Sequence, residues 1–265
     1  MTELTGDGWA AGDAYEAYMG RWSRAVARTF LEWLRPQPDG HWLEVGCGTG
    51  ALTGGIVDIC QPASVVACDS SEPFIEHARR SLPGCTFHVI PSMDALPSRD
   101  GGFDAVVSGL VVNFLPEPKS ALEIMGDRAR LGGTVGAYMW DYGGGVELLK
   151  HFWDEVVALN PGAAALDESQ RFGHWDASAL ASLFREAGFA NVETGVLEIR
   201  TDFSDFDDYW TPFLGRTGPA PSYVASLDST QRALLRSRLE QRLSSARGGP
   251  IRLRARALAV RGTSN

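Results

Sequence analysis

The residues best suited to hold a ligand are three glycines at alternate positions, Gly46, Gly48 and Gly50. They follow a short apolar stretch typical of a strand and precede Ala51, where a helix can begin. Glycine has no Cβ atom, so the chain can turn sharply there and a ligand can approach the backbone closely. The first N–H groups of a helix lack partners within the helix and therefore favour polar or anionic groups. The spacing predicts a strand, a loop and a helix that bind a nucleotide-like ligand.

Three acidic residues accompany this loop. Glu44 lies two residues before the first glycine, where its charge would repel a pyrophosphate but attract an ammonium group. Asp69 follows the apolar stretch 65–68 and can accept hydrogen bonds from both ribose hydroxyls. Asp94 follows the next apolar stretch. The glycines and Ala51 also fit the dinucleotide pattern G-x-G-x-x-G/A, so an NAD-dependent oxidoreductase is an alternative, although it would leave Glu44 and Asp94 without a role.

In these residues the chain resembles the class I S-adenosylmethionine (SAM) dependent methyltransferases, particularly the small-molecule type similar to ubiquinone and menaquinone biosynthesis enzymes. The resemblance covers about residues 40 to 200. It implies SAM as the cofactor, with Glu44 near its ammonium group, Asp69 on the ribose and Asp94 at the adenine amine. The cofactor-binding residues that the resemblance and the pattern together indicate are Glu44, Gly46, Cys47, Gly48, Asp69, Ser70, Met93, Asp94, Ala95, Ser108, Tyr18 and Arg21.

Alternating apolar and helical stretches predict βαβ units and a mainly parallel sheet. The resemblance implies an α/β, Rossmann-like class I methyltransferase fold, with a mainly parallel seven-stranded sheet flanked by helices and a helical cap. Strands are expected at about 42–46, 64–68, 85–89, 103–108, 133–139, 191–200 and 251–260. Helices are expected at about 51–59, 72–81, 118–130, 146–158, 177–187 and 228–245. Parallel strands end at one edge of the sheet, so we expect Glu44, Asp69, Asp94 and Ser108 there.

Four segments make up the expected organisation: an N-terminal helical lid at 1–38, a SAM-binding core at 39–200, a helical cap insert at 201–250, and the final strand with the C-terminus at 251–265. Aromatic residues at helical spacing predict two helices in the lid, broken near Gly20. By resemblance, Tyr15, Tyr18 or Arg21 of the lid reach SAM. A helical brace that only buries its aromatic side chains fits the same spacing.

Candidates for contact with the methyl acceptor follow the fifth strand. Asp141 and Tyr142 come directly after Trp140, and Asp141 could act as a general base. The alternative for Asp141 is a structural acid that caps the next helix. His174 and His151 are further titratable candidates near neutral pH.

Composition narrows the class of partner. The chain has 24 basic and 33 acidic residues, which gives a net charge of −9. This charge repels a phosphate backbone and therefore disfavours a nucleic-acid partner. The sequence has no window of about 18 consecutive apolar residues, so no membrane span is expected. The N-terminal residues do not read as a secretory signal, so a cytoplasmic location is expected. The four cysteines lack C-x-x-C spacing, so neither a metal site nor a disulfide is expected.

The sequence therefore predicts a SAM-dependent methyltransferase. Its acceptor is expected to be a small organic molecule, apolar or aromatic, methylated by direct in-line displacement that leaves S-adenosylhomocysteine (SAH). No Asn/Asp-Pro-Pro-aromatic motif follows Ser108, which argues against a nucleobase amine as the acceptor. A protein that binds SAM without methyl transfer is a second alternative. We expect a monomer or a homodimer.

Overall fold

The computed structural model describes residues 16–216, 218–243 and 249–265. The strands in these residues are β1 (His41–Val45), β2 (Ser64–Asp69), β3 (Thr86–Val89), β4 (Phe103–Gly109), β5 (Ala129–Trp140), β6 (Ala190–Phe203) and β7 (Ile251–Thr263). They form one seven-stranded sheet in the order β3-β2-β1-β4-β5-β7-β6. The strands from β3 to β5 pair in parallel, and β7 runs antiparallel to β5. The predicted mainly parallel Rossmann-like sheet is confirmed.

Helices connect and flank these strands. They are α1 (Arg21–Leu34), α2 (Ala51–Cys60), α3 (Glu72–Ser81), α4 (Pro118–Arg128), α5 (Glu147–Leu159), α6 (Glu168–Phe172), α7 (Ala177–Glu186), α8 (Phe206–Trp210), α9 (Pro219–Ser226) and α10 (Ser229–Leu243). A π-helical turn covers Glu16–Gly20, and 3-10 turns cover Met93–Ala95, Val112–Phe114, Pro161–Leu166 and Thr211–Leu214. No helix of the described residues is long and apolar enough to cross a membrane.

The central strands are apolar on both faces, as parallel strands covered by helices require. In β1 the side chains of Trp42, Leu43 and Val45 are all buried. Val45 of β1 pairs with Cys68 of β2, so the two strands end side by side. This register brings the glycine loop after β1 next to Asp69, the last residue of β2.

The chain divides into two compact units. The sheet unit comprises Ser23–Trp140, Trp175–Leu197 and Ala257–Asn265. The helical unit comprises the described residues among Met1–Trp22, Asp141–His174 and Glu198–Arg256. Residues 141–174, which the sequence analysis assigned to the SAM-binding core, thus belong to the helical unit.

The predicted lid is shared between the units. Residues 1–15, including the candidate Tyr15, lie outside the described residues. From Ser23 onward, α1 belongs to the sheet unit, where its buried face includes Phe30 and Leu34. The ring of Phe30 lies 4.7 Å from that of Tyr138 on β5. This part of the predicted lid is therefore a brace packed on the sheet.

Candidate functional site

The glycine loop after β1 has the backbone conformation that only glycine adopts readily. The φ angles of Gly46, Gly48 and Gly50 are 75°, 54° and 93°. A Cβ atom on Gly46 would lie 2.5 Å from a methyl group of Val111, so this position has no room for a side chain. A Cβ atom on Gly48 would meet nothing within 4 Å. The loop is thus packed on one side and open at Gly48, where a ligand can approach its backbone.

Asp69 is held in place by this loop and by the start of α3. Its Oδ2 atom accepts a hydrogen bond of 2.9 Å from the Gly48 N–H, and its Oδ1 atom accepts one of 2.8 Å from the Ser71 N–H. Each carboxylate oxygen has a second lone pair, so both can still accept a ligand hydroxyl. Ser70 is exposed beside Asp69. The carboxylate is therefore fixed in position with spare acceptor capacity, as a ribose site requires.

Glu44 is a buried acid, and no basic side chain of the described residues is among the influences on its pKa. It is only 1% exposed, and the hydroxyl of Thr53 on α2 donates a 2.5 Å hydrogen bond to its Oε2 atom. Burial raises the pKa of Glu44 to about 8, the hydrogen bond from Thr53 lowers it, and the charge of Asp69 raises it further. A positively charged ligand group would relieve the cost of ionising this carboxyl group.

Cys47 is part of the glycine loop, and Ser108 lies on the neighbouring strand β4. The Cys47 side chain is buried, and burial raises the pKa of its thiol, with Glu44 and Asp69 acting in the same direction. The thiol is therefore protonated at neutral pH. Ser108 on β4 is fully buried, and its hydroxyl donates a 2.9 Å hydrogen bond to the carbonyl oxygen of Val45. Its side chain secures the end of β1.

The predicted adenine residues form the 3-10 turn after β3. Met93 is half-buried and packs against the core of the sheet unit, whereas Asp94 and Ala95 are exposed. The turn therefore presents an acid at the surface above an apolar contact, which suits an adenine ring with an exocyclic amine.

Asn113 has a feature that its sequence context did not reveal. It lies in the 3-10 turn after β4 and is 8% exposed, yet neither its Oδ1 nor its Nδ2 atom has a hydrogen-bond partner in the described structure. Two unsatisfied polar atoms at a buried position are costly and require an explanation. Val111, in the same segment, packs against Gly46, so this segment supports the glycine loop.

Two predicted cofactor residues, Tyr18 and Arg21, lie in the helical unit. The Tyr18 ring is buried and packs against Phe213, with 5.5 Å between the ring centres. Arg21 forms a 2.9 Å ion pair with Asp208, and its guanidinium group lies 4.4 Å from the Trp22 ring centre. Both side chains therefore pack within this unit, although the Tyr18 hydroxyl has no hydrogen-bond partner among the described residues.

Asp141, the candidate general base, is an internal partner of Arg256. The two side chains form an ion pair of 2.5 Å through Asp141 Oδ2, and Oδ1 accepts a 3.1 Å hydrogen bond from the Gly143 N–H. Asp141 is 8% exposed. Both carboxylate oxygens are thus bound within the protein, and the helix that follows, α5, has Val146 as its N-cap without a side-chain cap.

The other candidates for acceptor contact differ in burial. Tyr142 is half-buried and its ring lies 5.3 Å from that of Phe172. His174 is exposed. The Nδ1 atom of His151 accepts a 3.1 Å hydrogen bond from Arg242 Nε. Burial lowers the pKa of this imidazole, as does the charge of Arg242.

The sequence analysis missed one acid of this unit altogether. Glu168 is 4% exposed and accepts a hydrogen bond from the indole N–H of Trp153. It follows Asp167, whose side chain caps α6, and an acid in the first turn of a helix ordinarily faces solvent. Nothing in the local sequence indicates its burial. Among the described residues, no group of His, Cys, Asp and Glu side chains could hold a metal ion.

Known proteins place this arrangement in context. Residues 43–135 match the family model described as a methyltransferase domain. The chain is 27% identical over 259 residues to nocamycin O-methyltransferase of Saccharothrix syringae, which covers 89% of this chain and 90% of that protein. It is 30% identical over 122 residues to the human protein named Probable tRNA methyltransferase 9B, but this match covers 45% of this chain and only 24% of that protein.

The fold is also that of solved methyltransferases. Phosphoethanolamine N-methyltransferase 2 of Haemonchus contortus, solved in complex with SAM, superposes with a TM-score of 0.55 at 15% identity. That match covers 96% of this chain and 57% of the other. The matched domain spans the glycine loop and Asp69, and the sheet has the form of the class I methyltransferase fold, so the chain is a SAM-dependent methyltransferase, an enzyme whose cofactor is SAM.

Proposed function

We propose that this methyltransferase transfers a methyl group to a small organic acceptor with an apolar or aromatic body, by direct in-line displacement that leaves SAH. The match to nocamycin O-methyltransferase carries this proposal, since it extends over 90% of that protein. The match to the human tRNA methyltransferase homologue is partial, and the net charge of −9 disfavours a phosphate backbone. The match to the methyltransferase domain leaves the alternative of an NAD-dependent oxidoreductase without support.

The sheet unit offers groups that match the parts of the cofactor. SAM supplies a methyl group on a positively charged sulfur, so the protein has mainly to bind and align the reactants. We assign Glu44 to the ammonium group, because a buried carboxyl without a neighbouring cation gains most from a positive partner. We assign Asp69 to the ribose, because backbone N–H groups fix it beside the open side of Gly48.

The remaining cofactor assignments follow the resemblance. The loop backbone at Gly46, Cys47 and Gly48 would hold the methionine part, and the turn Met93–Ala95 would hold the adenine. Contacts of Ser70, Ser108, Tyr18 and Arg21 with the cofactor stay predictions.

On the acceptor side, Tyr142 and His174 stay candidates for contact with the acceptor. Asp141 is a less favourable candidate for the general base, because Arg256 and the Gly143 N–H already bind its two oxygens. We therefore propose a positioning role for Asp141, in which it holds the turn after β5 for Tyr142.

The cellular context is also a proposal. All four cysteines are free, which suits a reducing compartment such as the cytoplasm. We propose a monomer or homodimer that works without a nucleic-acid or membrane partner.

Incubation with isotope-labelled SAM and a panel of small hydroxylated, amino and carboxylic compounds tests the proposed function. We expect SAH release that depends on an added acceptor, with the label recovered in the acceptor, and much slower release by the Asp69→Ala variant at a SAM concentration near the Kd of the unmodified protein. If the protein binds SAM but no compound stimulates SAH release, while purified tRNA does, the small-molecule acceptor is wrong.

A further inference from the structure

The helical unit contains a buried acid that the proposed function does not yet use. Glu168 is the first residue of α6, and its carboxyl group accepts a hydrogen bond from Trp153 on α5. Burial raises the pKa of Glu168 to about 7. Its own backbone N–H, Trp153 and Arg171 lower this pKa, and Asp167 raises it. The carboxyl group can therefore gain or lose a proton near neutral pH.

A buried phenol of the same unit, Tyr18, is close enough to Glu168 for the carboxylate charge to influence its pKa. Tyr18 is 3% exposed, and its hydroxyl bonds to nothing in the described parts of the chain. Burial raises the pKa of Tyr18, and the charge of Glu168 is the next largest influence, followed by Tyr142 and Tyr209. An unsatisfied buried hydroxyl destabilises the folded protein. A ligand that hydrogen-bonds to this hydroxyl would relieve that destabilisation.

The surroundings of the two groups are aromatic. Tyr18 packs edge-on against Phe213, and Phe172, in the same helix as Glu168, lies beside Tyr142. Trp153, the partner of Glu168, packs against Tyr223 at 5.8 Å. Such surroundings favour a flat apolar body, with the acid and the phenol as the polar contacts that orient it.

We propose that Glu168 and Tyr18 form the acceptor subsite of this enzyme and that the acceptor is a hydroxylated aromatic or enolic compound. The inference rests on the proposed function, because it presumes that a small acceptor is methylated. The acceptor hydroxyl donates to the Glu168 carboxylate, and the Tyr18 hydroxyl donates to the acceptor oxygen. When the proton passes to Glu168, the acceptor O–H bond breaks, an O–H bond forms on Glu168, and the negative charge moves to the acceptor oxygen.

Two features favour a hydroxyl over other polar groups. An acceptor carboxylate would meet the like charge of Glu168, which is unfavourable in a buried site. A general base works best when its pKa lies near the working pH, and the carboxyl of Glu168 meets this condition for a proton taken from a hydroxyl. The assignment gives Tyr18 a contact with the acceptor, in place of the cofactor contact that the resemblance implied.

Titration with 4-nitrophenol tests the subsite in the protein saturated with SAH. Its methyl ether, 4-nitroanisole, is the matched control without a donor, and benzylamine tests a cationic acceptor. The readout is the indole N–H resonance of Trp153, which is assigned from a Trp153→Phe variant. We expect 4-nitrophenol to shift this resonance and to bind at least about tenfold more tightly than the ether or the amine.

Two variants separate binding from stability. Tyr18→Phe and Glu168→Gln should each weaken 4-nitrophenol binding by about tenfold, while the calorimetric affinity for SAH stays the same. Tyr18→Phe should not lower the melting temperature, since the lost hydroxyl has no partner. In the free protein, the Trp153 resonance should titrate with a midpoint near pH 7, and this titration should be absent in Glu168→Gln.

Several results would overturn the subsite: no binding of 4-nitrophenol, equal binding of phenol and ether, preference for benzylamine, or unchanged phenol affinity in both variants. Loss of SAH affinity in Tyr18→Phe would make Tyr18 a cofactor contact and would also overturn it. The test of the subsite is independent of the test of the proposed function, because the resonance shift is measured without turnover. If the variants behave as expected but no acceptor releases SAH, the proposed function is wrong and the binding site stands.

Discussion

Binding of the cofactor should release a proton from Glu44. In the ligand-free protein burial raises the pKa of this carboxyl to about 8, so at pH 7 the group is mostly protonated. An ammonium group placed beside it would favour the ionised form and lower the pKa again. If Glu44 binds the ammonium group, each SAH bound at pH 7 should therefore displace close to one proton.

The size of the effect follows from the raised pKa. One pKa unit corresponds to about 1.4 kcal/mol, or a tenfold change in the ionised fraction well below the pKa. With a pKa of about 8, SAH affinity should rise about ninefold from pH 6 to pH 7 and about fivefold from pH 7 to pH 8, and level off above that. These factors apply if the complex keeps Glu44 ionised down to pH 6.

Isothermal titration calorimetry measures both the proton release and the pH dependence of SAH affinity. Titrations of SAH in buffers of different ionisation enthalpy give the number of protons released, and a pH series gives the affinity. Glu44→Gln is the matched control, because its amide oxygen can still accept the hydrogen bond from Thr53. This variant should bind SAH more weakly above pH 8 and show no proton release. Proton release that persists in Glu44→Gln, or an affinity independent of pH in the unmodified protein, would refute the reasoning.

The raised pKa of Glu44 also affects the stability of the ligand-free protein. The folded-state pKa of Glu44 is raised, so its contribution to stability is fully present below the unfolded pKa, about 4.5, and is lost as pH rises through about 8. Without ligand, Glu44→Gln should therefore be more stable than the unmodified protein at pH 8, although it binds the cofactor less well.

Three further substitutions follow from the structure. Asp69→Ala should weaken SAH binding more than tenfold, or about 1.4 kcal/mol, in calorimetry, and Asp69→Asn should weaken it less; unchanged affinity would remove the ribose assignment. Asp141→Asn and Arg256→Gln should each lower the free energy of unfolding by about 1–3 kcal/mol, since they break the same pair; a fall in turnover without loss of stability would instead make Asp141 a base. Asn113→Leu should leave the ligand-free melting temperature unchanged or raise it, because it removes two unpaired polar atoms; a large decrease would mean that the amide has a structural partner.

The fold was predictable where the sequence pattern is local. The strand before Gly46 and the helix after it share one apolar stretch and one loop, and their bounds agree with the expected ones within a residue. Helix α7 begins at Ala177, where a helix was expected, and Asp176 caps it by accepting a 2.7 Å hydrogen bond from the Ala179 N–H. The start of β5 was not predicted, because Gly132 and Gly133, which ordinarily weaken a strand, lie inside it; the strand begins at Ala129.

The candidate site was less predictable where it depends on distant contacts. Arg256 lies 115 residues after Asp141, so their ion pair has no local signal. The burial of Glu168 likewise depends on Trp153 in another helix. Helices α8 and α9 were not predicted. Asp205 caps α8 and Pro219 begins α9, and both residue types are common in loops as well as at the starts of helices.

A crystal structure of the protein grown with SAH tests the central claim most directly. The account predicts SAH at the open side of Gly48, with its ribose hydroxyls on Asp69 and its ammonium group within hydrogen-bond reach of Glu44. Electron density for SAH at another place, or a complex in which neither acid contacts it, would contradict the account.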